Sequence, residues 1–129
     1  MITRSDAARA ALGAAFILAG ALHFVIPQRY VAIVPRYLPA PGMLVALSGA
    51  AEILGGLGLL LPRWRRAAGL GLLLLLASVL PANVEMLRQA RAREVAAPFE
   101  AVLLLRLPFQ AVLMWWVWRL SRPSAPRAC

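Results

Sequence analysis

The stretch Ser48-Gly49-Ala50-Ala51-Glu52-Ile53-Leu54-Gly55-Gly56 lies inside a run from Met43 to Leu61 that is otherwise apolar or small. A run of this length can cross a hydrocarbon core of ~30 Å as one helix. A carboxylate at its centre costs roughly 2.5–3.5 kcal/mol on insertion scales unless something compensates it, so Glu52 implies a partner. At helical spacing Ser48, Glu52 and Gly55 share a face, and their small neighbours leave room for a second helix or a ligand.

The rest of the chain has the same character. Of 129 residues, 62% are hydrophobic and 15% charged, with a mean hydropathy of +0.76. Soluble domains average roughly 45–50% apolar and 25% charged. The chain therefore reads as all-α: an integral membrane four-helix bundle with short loops, forming a single membrane domain over residues 1–129. Apolar periodicity places the spans at about 7–26, 43–61, 67–87 and 101–120, with residues 121–129 as a disordered tail. A secretory signal peptide is the rival for the first run, with Arg4 and Arg9 as its basic lead and Ala19-Gly20-Ala21 as its cleavage site; the three spans that follow weigh against it.

Between the first two spans, Pro27, Pro35, Pro39 and Pro41 preclude a long regular helix. Tyr30, Tyr37, Arg29 and Arg36 suit a segment lying in the membrane interface. This Pro-rich first loop is either a plain structured connection or a lid over the outer mouth of the bundle. In the third span Pro81 deprives the Ala77 carbonyl of its helical donor, which the nearby Asn83 amide or a water can replace. Arg88 to Glu100 reads as a charged connection.

The formal net charge of +9 comes entirely from arginine, and most of it falls between or beyond the apolar runs. That distribution belongs to membrane topology rather than to nucleic acid binding. Arg4, Arg9, Arg63, Arg65, Arg66, Arg119, Arg122 and Arg127 fall on one side, against Arg29, Arg36, Arg88, Arg91 and Arg93 on the other. The excess places both termini in the cytoplasm and gathers the four tryptophans at that interface. Arginine without lysine, beside abundant alanine and glycine, suggests a GC-rich bacterial source and hence a bacterial inner membrane. Cys129 is the single cysteine and excludes an internal disulfide or a CxxC redox pair; one histidine excludes a bis-His haem. No metal or haem is expected.

At a rise of 1.5 Å per residue, His23 and Asn83 fall within about two turns of the outer surface, Arg106 roughly 8–10 Å in, and Glu52 and Gln110 near ~14 Å. Five polar groups from four helices thus share the outer half of the membrane. The expectation is one convergent cluster of His23, Glu52, Asn83, Arg106 and Gln110, with Glu52 and Arg106 as its ion pair. Such a cluster can lock four helices in register or bind a ligand. A proton path is disfavoured, because no acidic or histidine relay continues to the other side.

Gly20-Ala21-Leu22-His23-Phe24, Ile33-Val34-Pro35 and Leu38-Pro39, Ser48 to Ile53 with Gly55-Gly56, Leu80-Pro81-Ala82-Asn83 and Arg106-Leu107-Pro108-Phe109-Gln110 together resemble the signature positions of the DoxX-like membrane proteins, from about residue 12 to 120. The resemblance implies four membrane helices. It also implies a link to quinone-coupled sulfur oxidation or to membrane complexes handling thiol stress, while a distant animal relative resembles a receptor chaperone. The lone Cys129 argues against thiol catalysis by this chain alone.

Two functions are in competition. One is a membrane subunit that binds a quinone or similar apolar carbonyl compound through the five ligand-binding candidates, with a membrane or periplasmic redox protein as partner. The other is a non-catalytic scaffold or chaperone whose buried Glu-Arg pair is structural. No catalytic residue is assigned, and both readings leave oligomerisation open.

Overall fold

The computed structural model describes residues 3–122, all helix and connection. Five helices follow in order: α1 (Arg4–Val25), the short α2 (Pro27–Val31), α3 (Pro41–Leu60), α4 (Arg65–Ala92) and α5 (Ala97–Ser121). All but α2 are long and apolar enough to cross a membrane, which makes this a multi-pass membrane protein built as a four-helix bundle. Both described chain ends and the Leu61–Trp64 turn lie at one end, called here the terminal end. The segment around α2 and the α4–α5 turn lie at the other, the loop end.

The helix boundaries differ from the hydropathy reading at the charged ends. α1 starts at Arg4 rather than near residue 7, because Thr3 and Asp6 form a reciprocal capping box. The expected charged connection is mostly helix: α4 continues to Ala92, and α5 begins at Ala97 with Pro98 in its first turn. Hydropathy marks where hydrocarbon ends, whereas a helix supported by Glu85–Arg88 and Arg91–Glu100 pairs continues beyond it. Of the expected tail, Ser121 closes α5 and is buried, while residues 123–129 lie outside the described residues.

α1 and α3 pack antiparallel along a glycine seam. A Cβ on Gly20 would lie 2.5 Å from the Gly49 carbonyl oxygen, and one on Gly56 would lie 2.6 Å from that of Gly13. Pairs 13/56 and 20/49 have the same register seven residues apart, so glycine lets the two backbones meet twice along one stripe. α3 packs on α4, where Gly55 receives Leu72 and Gly58 faces Ala68. α4 packs on α5, and α1 touches α5 only lightly.

The core at the terminal end is dry. Leu12, Phe16, Leu59, Leu72, Leu76 and Val117 form one buried cluster from all four spanning helices. Arg9, expected to belong to a basic lead, is buried there instead. Its Nε donates to the Leu120 carbonyl at 2.9 Å and its Nη1 to Asp6 at 3.0 Å, tying α1 to the end of α5. Trp64, Trp115, Trp116 and Trp118 all gather at this end, with Arg119 over the Trp115 ring and Arg122 over Trp118.

Candidate functional site

Beyond this apolar core, toward the loop end, residues of all four spanning helices line a cavity of 580 Å³. Phe16 and Leu76, part of the core cluster, also line it. Tyr30, Ile33, Val34 and Pro35 line it from α2 and the segment that follows, so the Pro-rich stretch does contribute a wall of the cavity. All five residues singled out from the sequence line this one space: His23 from α1, Glu52 from α3, Asn83 from α4, and Arg106 and Gln110 from α5.

Their pairing differs from the expected one. Glu52 and Arg106 do not form an ion pair. The side chain that approaches Glu52 Oε2 is the His23 ring, whose Nδ1 lies 3.9 Å away, and Arg106 Nη1 instead approaches Met86 Sδ at 3.6 Å. Depth along a helix does not fix the direction in which a side chain leaves it. Arg106 is exposed on the α4 side of α5, whereas Glu52 projects from α3 toward α1.

His23 is buried and held from two sides. Its Nδ1 lies 3.0 Å from the Ala19 carbonyl, which can only accept, so Nδ1 is the donor. Its ring stacks on Tyr30 with centroids 3.9 Å apart. Burial and the nearby Glu52 charge push the Tyr30 phenol above its usual range, partly offset by Arg106. Tyr30 therefore remains a neutral hydrogen-bonding group at neutral pH.

Glu52 Oε2 is buried and has no hydrogen-bond partner among the described residues. An acceptor in that position costs roughly 1–3 kcal/mol if it stays unpaired. Ser48, one turn earlier on the same face, also lines the cavity, but Gly55 turns away to pack on Leu72.

Gln110 is engaged at both ends of its amide. Its Oε1 accepts from Asn83 Nδ2 at 2.6 Å, and its Nε2 donates to the Leu76 carbonyl. Asn83 thus donates to Gln110 rather than to the Ala77 carbonyl, and the carbonyl that gains a side-chain donor is that of Leu76. α4 runs nine residues past Asn83 to Ala92, beyond the expected end of the third span. Gln110 consequently acts as a bolt between α4 and α5, while His23, Glu52, Asn83 and Arg106 present the groups that remain.

Tyr30 was not singled out as a site residue. The available signal was its position seven after His23, which would put both on one helical face. The break at Ile26, between α1 and α2, obscured it. Among the described residues no group of three His, Cys, Asp or Glu could hold a metal ion.

The family model DUF8561, described as a domain of unknown function, matches residues 12–121, and the chain belongs to that family. No curated protein and no solved structure matches it.

Proposed function

We propose that this member of the DUF8561 family is a ligand-binding membrane subunit whose cavity accepts a flat, lipid-soluble carbonyl compound of the quinone/quinol class. The observation that carries the proposal is Glu52 Oε2, buried and without a donor on the wall of a 580 Å³ cavity. Small-molecule sites occupy ~300–1,000 Å³, are mostly apolar and converge a few polar groups. A hydroxyl donor satisfies Glu52, and the Arg106 guanidinium and the Asn83 amide offer donors to a carbonyl oxygen. His23, oriented by Ala19 and Tyr30, keeps its second ring nitrogen for a donor or acceptor role.

The resemblance to DoxX-like proteins supports the same reading, with a membrane or periplasmic redox protein as electron partner. A quinone in this place would supply two-electron, two-proton carrier chemistry. The residues of the chain would bind and orient it and keep water away. In this proposal the membrane is a bacterial inner membrane, the termini are cytoplasmic and the loop end is external.

The test is extraction of the purified protein with organic solvent, followed by chromatography with redox-difference absorbance. The proposal expects an isoprenoid quinone in near-stoichiometric amount, lost in Glu52→Leu. Absence of any quinone, together with no binding of an added short-chain quinone, would overturn it. The scaffold reading has one observation of its own, the Asn83–Gln110–Leu76 bolt, which ties helices together whether or not a ligand is present.

A further inference from the structure

A second, separate site is built on the outer flank of α4 at the loop end. Arg36 from the Pro-rich segment faces Arg88 and Arg93 of α4 and its cap across a cavity of 620 Å³. Glu85 is the one acid lining it, and that carboxylate is already taken. It accepts from Arg88 Nε at 2.8 Å, from Arg88 Nη2 at 2.6 Å and from Gln89 Nε2 at 3.1 Å. Arg36 also acts on the Glu85 carboxylate through its charge, but neither it nor Arg93 is within hydrogen-bond or ion-pair distance of it, so three guanidinium groups face one carboxylate. Two exposed guanidinium groups are therefore in surplus at this cavity.

A second cavity of 670 Å³ shares Pro35, Arg36, Glu85 and Arg88 with the first as lining residues. It is apolar and runs along the exposed face of α4 over Val84, Pro81, Leu80 and Ala77, with Tyr37 beside it. From Arg88 to Ala77 the groove descends ~16 Å, about the depth of one leaflet's hydrocarbon. With Arg65 at the headgroup level of the terminal end, α4 crosses ~30 Å of hydrocarbon by Glu85, which places Arg88 and Arg93 among the opposite headgroups.

We propose that this arginine cavity and the groove below it bind one anionic phospholipid of the loop-end leaflet, the phosphate between Arg36 and Arg93 and an acyl chain along Ala77–Val84. Charge and shape choose the occupant. Three guanidinium groups against one carboxylate at phosphate depth favour a lipid with net negative charge over a zwitterionic one, and the apolar groove beside them favours a lipid over a free anion. Gln89 Nε2 also reaches the Ala32 carbonyl at 3.3 Å, so the same walls tether the Pro-rich segment that lines the central cavity. A lipid bound here holds that segment against α4.

The experiment is thermal unfolding of the full chain in detergent against added phosphatidylglycerol, phosphatidylcholine or inorganic phosphate. Phosphatidylglycerol is expected to stabilise at lower concentration than phosphatidylcholine, and phosphate to have no effect. In the double variant Arg36→Gln, Arg93→Gln the half-maximal concentration of phosphatidylglycerol should rise roughly thirtyfold, with lipid-free melting unchanged. Val84→Trp, which fills the groove and leaves the arginines alone, should weaken both lipids alike. Equal response to the two lipids, stabilisation by phosphate alone, or an unchanged phosphatidylglycerol preference in the double variant would each overturn the proposal.

Discussion

The two halves of this bundle are made from the same four helices and solve opposite problems. At the terminal end α1 and α5 are joined by Arg9 to the Leu120 carbonyl, and between them Leu59 and Val117 are completely buried. Toward the loop end α1 and α3 still meet at Gly20 and Gly49, but a cavity between the four helices is lined by His23, Glu52, Asn83 and Arg106. Polar groups appear in both halves, but they are treated differently. Arg9 has its donors placed on a carbonyl and a carboxylate, whereas Glu52 Oε2 is left without any donor. A bundle that pairs the buried Arg9 so fully does not need an unpartnered carboxyl oxygen for its architecture, and this contrast is the reason for reading the loop half as a site.

The contrast can be attacked at its strongest point first. A side chain at Gly20 or Gly56 has to push a backbone carbonyl aside, so Gly20→Val or Gly56→Val should cost about 3 kcal/mol or more in a detergent denaturation series. Gly71 meets nothing within 4 Å, and Gly71→Ala should be neutral or slightly stabilising. Equal losses at all three positions would mean that glycine matters here for helix flexibility and not for close packing. Next in size, Arg9→Met should lose about 2 kcal/mol by leaving the Leu120 carbonyl without its charged donor, measured in the same series.

Gln110→Leu should follow at about 1–2 kcal/mol, since it frees the Asn83 amide and removes the second donor to the Leu76 carbonyl. The smallest effect is expected at Glu52. A double-mutant cycle of Glu52→Gln with Arg106→Met should show coupling below about 0.5 kcal/mol, because the two side chains do not meet. A coupling of several kcal/mol would restore the ion pair and weaken the distinction between the halves.

The sequence carried the four spans clearly, since long apolar runs such as Met43–Leu61 leave little choice. It also carried the membership of the cluster, because His23, Glu52, Asn83, Arg106 and Gln110 interrupt those runs at comparable depth. Partners were not legible. Depth follows from counting residues, but the direction of a side chain depends on helix rotation and on length beyond the hydrocarbon. For that reason Arg106 was paired with Glu52. Arg9 was hidden for a related reason: at a chain terminus arginine resembles a solvated anchor, and only Asp6 three residues earlier hinted at a fixed position. Tyr30 was hidden by the proline-rich context that also positions it.

The most direct measurement is the shift in melting temperature produced by a short-chain quinol in the parent protein and in Glu52→Leu. The account predicts that Glu52→Leu melts no lower than the parent without ligand, because Glu52 Oε2 makes no hydrogen bond that the substitution removes and its burial without a partner is a cost. At a quinol concentration ~100 times its dissociation constant the parent should gain about 2.7 kcal/mol of stability, and the variant should gain much less. A Glu52→Leu protein that unfolds before any ligand is added, or that responds to quinol as the parent does, would contradict the claim that the loop half of the bundle is a binding site.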